Sequence, residues 1–267
     1  MALTHLLILA LIQGITEFLP ISSSGHLILL PNLTGIEDQG QTLDVAVHVG
    51  TLLAVVLFFW SDVKIAAKGF APLLKGQLDT QGAVWAVCLL IATVPVVVLG
   101  LVLTLTGYAD ALRSTAVIGW AMLVFGVVLY WADQTGATAK QASDWTVKDA
   151  LIMGLWQAIA LIPGTSRSGI TITAGRRLGY DRENAARLAM LMSIPTIIAS
   201  GTLLGLEMRH EADVAILKDA AIAAGFAFVA ALGALALMMR LLKSTSFTPY
   251  VVYRVVVGVI LLIIAYS

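Results

Sequence analysis

The chain holds a single cysteine, Cys88, which excludes an intrachain disulfide and a cysteine metal site. Charge is scarce as well: Asp, Glu, Lys and Arg make up 12% of the 267 residues, about half the share that soluble domains carry. Acidic and basic side chains balance at 16 each, so the basic surface that a nucleic-acid partner needs is absent. No Lys or Arg precedes Lys64. The N-terminus therefore lacks the basic region of a cleaved signal peptide. Cys88 itself lies in an apolar run and reads as a small packing residue.

What is abundant is oil. Hydrophobic residues are 59% of the chain and the mean hydropathy is +0.94, values that imply a polytopic membrane protein in contact with membrane lipids. Six runs, at about 43–60, 83–106, 115–132, 185–206, 219–239 and 251–266, are long enough or nearly so to cross the bilayer core, which takes about 20 helical residues. Trp60, Trp85 and Trp131 stand at their ends, as interfacial aromatics do. Pro95 and Pro195 lie inside runs and are expected to kink them. Gly201 and Gly205 form a small-xxx-small pair suited to close helix packing, including that of a homo-oligomer. His5 and His210 read as interfacial.

Segments 3–30 and 150–173 differ from these runs. Each is apolar at both ends and broken in the middle by Pro, Gly and Ser. A straight span would leave that broken backbone unpaired in lipid, at several kcal/mol per group. A helix–turn–helix that enters the membrane and returns avoids the cost, so both segments are expected to be re-entrant hairpins. They also match each other: shifted by 144 positions, Leu11, Gln13, Ile15, Ser22, Ser24 and Gly25 meet Leu155, Gln157, Ile159, Ser166, Ser168 and Gly169.

Basic residues orient the chain. With six spans and two hairpins that do not cross, twelve Lys and Arg, from Lys64 to Arg254, share one side, against Arg113, Arg209 and Lys218 on the other. The first side is then cytoplasmic. Lys64, Lys68 and Lys75 read as a solvated cytoplasmic face that touches lipid headgroups. Three spans separate the hairpins, an odd number, so the second repeat is inverted relative to the first. The expected fold is an all-α integral membrane protein of six transmembrane helices and two re-entrant hairpins, a single domain over 1–267 with repeats of about 1–132 and 145–267. The hairpin tips meet within the membrane, as in many transporters.

The tips carry the chemistry. Gln13 and Glu17 are four apart and share a helix face. A carboxylate at membrane depth costs on the order of 2.5–3.5 kcal/mol; it either packs against hydrogen-bonding neighbours or holds a metal or a proton. Ser22, Ser23, Ser24 and Gly25 follow Pro20 and open a helix, offering hydroxyls and free N–H groups to an anion. His26 can trade protons near neutral pH. In the second tip, Gly164, Ser166, Ser168, Gly169 and Thr171 surround Arg167, whose planar fork matches phosphate oxygens. Arg167 can also simply neutralise Glu17. The set suits a phosphate or diphosphate bound with a divalent cation, and its hydrolysis. Asp44 and His48, four apart near the start of the first span, either border this cavity or are helix-end polarity.

These residues resemble the bacterial undecaprenyl-pyrophosphate phosphatase family of the bacitracin-resistance type, over essentially the whole chain. The family's (Glu/Gln)-xxx-Glu stretch falls on Gln13 to Glu17, its Ser-Ser-x-Gly-His stretch on Ser22 to His26, and its Pro-Gly-x-Ser-Arg-Ser-x-x-Thr stretch on Pro163 to Thr171. The resemblance implies an inner-membrane enzyme with its site facing the periplasm or outside. Its substrate would be the polyprenyl lipid undecaprenyl diphosphate, and it would depend on Mg²⁺ or Ca²⁺. By resemblance, Glu17, Ser23, His26, Ser166, Arg167 and Thr171 map onto functional positions, with Glu17 and Gln13 at the metal. Ser23 is the expected nucleophile and His26 the acid/base residue; attack by His26 or by water are the alternatives. A transporter or flippase for a phosphate-bearing lipid is the rival from another class.

Overall fold

The computed structural model describes residues 3–34, 40–208 and 214–267; Arg209 and His210 lie outside the described residues. Apolar runs without internal breakers become helices that end where capping residues appear. In chain order they are α1 (Leu3–Thr16), α2 (Ser23–Thr34), α3 (Gln41–Phe58), α4 (Trp60–Leu74), α5 (Gln81–Thr106), the single turn α6 (Tyr108–Ala111), α7 (Thr115–Thr135), α8 (Val147–Ala158), α9 (Arg167–Arg177), α10 (Arg182–Met208), α11 (Val214–Leu241) and α12 (Thr248–Tyr266). Thr80, Ser114 and Thr146 cap α5, α7 and α8 through their hydroxyls. Gly107, in the left-handed region, closes α5. No strand occurs among the described residues.

Five helices, α5, α7, α10, α11 and α12, are long and apolar enough to cross a membrane, and the number is six if α3 and α4 count as one broken span. The expected first span differs from the structure at its end: the chain turns by 90° between α3 and α4. No proline sits at that corner. The chain bends where the apolar run gives way to Ser61, Asp62 and Lys64, and α4 buries Asp62, Ala66 and Gly69 while exposing Lys64 and Lys68. By contrast, α5 and α10 run on through Pro95 and Pro195.

Small residues set the packing. A Cβ on Gly14 of α1 would stand 2.6 Å from the Ala230 Cβ and 2.7 Å from the Ala227 carbonyl oxygen, so α1 lies tight along α11. A Cβ on Gly154 of α8 would stand 2.6 Å from the Ala92 carbonyl oxygen, so α8 lies tight along α5. The first helix of each broken segment thus packs on a long helix of the opposite half of the chain. A Cβ on Gly201 would meet nothing within 4 Å among the described residues, so this glycine makes no close helix contact with them. Large apolar side chains such as Val97, Val98, Leu101 and Ile263 point outward, as a lipid-facing surface requires.

Candidate active site

Two turns that are copies of each other build the site. Ser22 and Ser166, 144 positions apart, are the two non-glycine residues with positive φ among the described residues, at 74° and 69°. Such backbone costs of order 1–3 kcal/mol per residue and gathers at functional sites. In each copy the serine hydroxyl caps the following helix: Gly25 N–H donates to Ser22 Oγ at 3.3 Å, and Gly169 N–H to Ser166 Oγ at 3.1 Å. The next serine but one also matches, with Ser22 Oγ 3.4 Å from Ser24 Oγ and Ser166 Oγ 3.1 Å from Ser168 Oγ. Ser22, Ser23, Ser24, Ser166 and Arg167 border one cavity, so the N-termini of α2 and α9 both face it. Their unpaired N–H groups and dipoles favour an anion between them.

Between them lies a cavity of about 170 Å³, lined by Glu17, Ser22, Ser23, Ser24, His48, Ala160, Ser166, Arg167, Thr196, Ile197 and Ser200. Glu17 is buried and is the hub of the site. Its Oε1 pairs with the Arg167 guanidinium. Its Oε2 accepts from Ser23 Oγ at 2.7 Å and from Gln13 Nε2 at 2.8 Å, and lies 3.7 Å from His48 Nε2. Arg167 also donates to the Ser193 carbonyl at 3.0 Å, which fixes its fork against α10. Glu17 and Arg167, 150 residues apart in the chain, thus face each other at one cavity.

The expected site residues divide into two groups. Glu17, Ser22, Ser23, Ser24, Ser166 and Arg167 line the cavity, with Gln13 directly behind Glu17. The others lie outside the cavity lining and make their contacts within the protein. Ser168 Oγ donates across to the Leu19 carbonyl at 2.9 Å, joining one tip to the other. Thr171 Oγ1 donates back to the Arg167 carbonyl at 2.8 Å, the usual fate of a threonine inside a helix. Gly25, Gly164 and Gly169 make room for neighbouring protein atoms. Added Cβ atoms would approach Ile118 Cγ2 at 3.2 Å, the Ile118 carbonyl oxygen at 2.5 Å and Arg254 Nη1 at 2.8 Å, respectively.

His26 is absent from the cavity lining. Its Nδ1–H donates to the Ser22 carbonyl at 2.6 Å, its Nε2 accepts from the Tyr253 hydroxyl at 2.6 Å, and the two rings stack. Both ring nitrogens are occupied, and the imidazole beside Glu17 belongs to His48.

Sequence reasoning missed Arg254, which it counted among the cytoplasmic charges. Arg254 is fully buried. Its guanidinium donates to the carbonyls of Pro20 at 3.2 Å, Gly164 at 3.1 Å, Ala121 at 3.2 Å and Met122 at 3.1 Å. Pro20 and Gly164 are themselves 144 positions apart, so one arginine clamps equivalent points of both turns. Thr196 and Ser200 were missed too, although hydroxyls four apart in an apolar run are a readable signal.

Among the described residues no three His, Cys, Asp or Glu side chains cluster as metal ligands. The donors at Glu17 are nevertheless those a hard cation takes: a carboxylate, several hydroxyls, and the Gln13 Oε1, which is buried without a hydrogen-bond partner. Mg²⁺ commonly binds through one or two carboxylates and fills its remaining positions with phosphate oxygens and water, so these residues fit such an ion.

Comparison with known proteins identifies the family. The family model described as bacitracin resistance protein BacA matches residues 6–260. The chain is 68% identical over its full length, and the full length of the relative, to a protein named undecaprenyl-diphosphatase from Jannaschia sp. (strain CCS1). It is 68% identical, again over the whole of both chains, to the protein of that name from Dinoroseobacter shibae. It is 46% identical to undecaprenyl-diphosphatase 1 of Rhodospirillum rubrum, covering 100% of this chain and 96% of the relative. The chain belongs to the bacitracin resistance protein family.

Proposed function

We propose that the protein is an integral-membrane phosphatase that hydrolyses undecaprenyl diphosphate to undecaprenyl phosphate and inorganic phosphate. The reaction recycles the lipid carrier of cell-wall synthesis and so opposes bacitracin. The observation that carries the proposal is the pairing of two helix N-termini with the Glu17–Arg167 pair in one small polar cavity. The names of relatives at 64–68% identity over the full chain support the substrate.

The chemistry follows from the geometry. The terminal phosphate is held by the Arg167 fork, the Ser22, Ser24 and Ser166 hydroxyls, and the first N–H groups of α2 and α9. Ser23 is the nucleophile: its hydroxyl donates to Glu17 Oε2, and Glu17 takes that proton as Oγ bonds the terminal phosphorus and the anhydride P–O bond breaks, then passes it to the departing undecaprenyl phosphate. Water next attacks the phosphoserine, Glu17 taking a proton from the water and returning it to Ser23 Oγ as inorganic phosphate leaves. Fixed charge from Arg167 meets the negative charge that develops. A divalent cation, Mg²⁺ or Ca²⁺, held by Glu17 and Gln13, would neutralise phosphate oxygens and draw the diphosphate against the carboxylate. His26, tied to the Ser22 carbonyl, positions the first turn.

The same reading includes two inverted repeats, about 1–132 and 145–267, with α1–α2 and α8–α9 as re-entrant hairpins. It is supported by the matched serine turns and by the crossed packing of α1 on α11 and α8 on α5. With Arg254 moved to the interior, eleven of the twelve basic residues remain on the cytoplasmic side against three. In that orientation the first half of α3 and the second half of α10, which supply His48, Thr196 and Ser200, lie in the outer half of the inner membrane. The cavity then opens toward the periplasm.

The test is phosphate release from the lipid diphosphate by purified protein with Mg²⁺, with and without chelator. Release that requires the ion and is lost in Ser23→Ala and Arg167→Ala is expected. Movement of labelled lipid across liposomes with no phosphate released would instead make the protein a flippase.

A further inference from the structure

A second cavity, of about 410 Å³, lies where α3 turns into α4, and the start of α10 and the end of α11 close it. The chemistry above gives it no task. Its lining is of two kinds: Phe58, Phe59 and Met239 form an apolar wall, and Arg187, Arg240 and Lys243 bring cations.

Those cations are only partly used. Asp62 takes Nε and Nη2 of Arg187 through its two oxygens, which leaves Arg187 Nη1 without a partner. The exposed side chains of Arg240 and Lys243 make no ion pair or hydrogen bond among the described residues. Once Asp62 and Arg187 cancel, two cations face one carboxylate, that of the exposed Glu183. The cavity therefore carries a positive excess and unpaired N–H donors, which suit an anion.

Its place in the fold says what kind of anion. The helix α11 is long and apolar enough to cross a membrane, and its apolar run ends at Arg240. Exposed Trp60 opens α4, as aromatics do at the membrane boundary. Leu57 and Leu237, within one turn of Phe58 and Arg240, are exposed on the membrane side. A lone phosphate would find donors here but no use for the apolar wall. An acyl chain alone would leave the donors empty. An amphiphile with a phosphate at one end satisfies both.

We infer that this cavity seats the headgroup of an anionic phospholipid. Arg240, Lys243 and Arg187 Nη1 hold the phosphate-diester oxygens, and the chains lie along Leu57 and Leu237. Glu183 accepts from headgroup hydroxyls such as the glycerol of phosphatidylglycerol. This site goes beyond the phosphatase reading and is the same whichever membrane face is cytoplasmic.

Native mass spectrometry of the full-length protein in detergent counts bound lipids directly. Phosphatidylglycerol, phosphatidylethanolamine and phosphatidylcholine with equal acyl chains are titrated into three proteins: wild type, Arg240→Gln/Lys243→Gln, and Lys64→Gln/Lys68→Gln. The last removes equal charge from the exposed face of α4, outside the cavity lining. The wild type should take its first phosphatidylglycerol at least about tenfold more tightly than either zwitterionic lipid, and Arg240→Gln/Lys243→Gln should lose about tenfold or more in that binding. Lys64→Gln/Lys68→Gln should keep it, and inorganic phosphate at the lipid's own concentration should not displace it. Both double variants change exposed side chains alone and should melt as the wild type does. Equal binding of the three lipids, equal losses in the two double variants, or displacement by inorganic phosphate would each overturn the inference. Binding is read without substrate, so it stands or falls apart from phosphate release.

Discussion

Replacing Arg254 with methionine separates the stability of this protein from the shape of its site. The substitution keeps an apolar stem and removes a guanidinium that donates to four carbonyls. Ala121 and Met122 lie inside α7, whose own backbone ladder supplies their carbonyls with a donor. Pro20 and Gly164 sit in the two turns, and their carbonyls lose the donor that Arg254 gives them. A buried carbonyl left unpaired costs about 1–3 kcal/mol, so the two together cost about 2–6 kcal/mol. Against this, Arg254 is a buried charge with no carboxylate partner among the described residues, and desolvating such an ion costs several kcal/mol. The two effects nearly cancel, and the net change in stability is expected within about 2 kcal/mol of zero. The loss falls on geometry instead. Ser23 and Arg167 each begin a helix directly after a clamped turn, and a misplacement near 1 Å can cost about 100-fold in rate. Arg254→Met should therefore fold and melt close to the wild type while phosphate release falls at least tenfold. Arg254→Lys, a point charge that cannot reach both turns at once, should fall between. A folded Arg254→Met protein with the wild-type rate would refute the clamp.

Three further outcomes are expected. Gly14→Val places side-chain atoms where Ala230 Cβ and the Ala227 carbonyl stand at 2.6 and 2.7 Å from a first Cβ; it should cost about 1–3 kcal/mol or more by forcing α1 off α11, while Gly201→Ala, which faces open space, should melt as the wild type does. Asp62 is buried and pairs with Arg187 through both oxygens, with Nε 2.7 Å from Oδ2. Because the Arg187 side chain is 37% exposed, solvent screens the pair, and a double-mutant cycle on thermal stability should give a coupling of about 1 kcal/mol. Burial, and then its bond to Asp149, raise the Tyr180 phenol above its ordinary range. Its contribution to stability is therefore complete below about pH 10, where free tyrosine ionises, and is lost as pH rises through the higher folded value. Melting curves should show this alkaline loss in the wild type and not in Tyr180→Phe.

The sequence made the two turns legible because their parts are local. Proline, glycine and serine at fixed spacing dictate a turn and a helix start, and their repetition at 144 positions appears in the structure as matched caps and matched positive-φ serines. The pairing of Glu17 with Arg167 was readable for a related reason: two opposite charges in an oily chain have few other ways to avoid the cost of burial. The roles of His26, His48, Ser168, Thr171 and Arg254 were not readable. Each depends on which way a side chain leaves its helix and on what the neighbouring helix presents there. Motif spacing placed His26 beside Glu17, yet the ring turns to Tyr253 on α12. Arg254, seven residues into an apolar helix, looks in sequence like an interfacial charge, and only the convergence of two turns and α7 gives it four acceptors.

Composition and spacing alone determined that this chain lives in a membrane, that it is helical, and that its polar chemistry sits at two broken, related segments. These follow from short-range rules: the cost of unpaired backbone in lipid, the capping of helix starts, and the price of an intramembrane charge. Only the tertiary structure decided which groups share the cavity. Contact between Glu17, Arg167 and His48 joins the turn after α1 to α9 and α3, and no local rule fixes the rotation of one helix against another. That rotation is set by glycine contacts between helices and by a buried arginine whose acceptors lie 90 to 234 residues away.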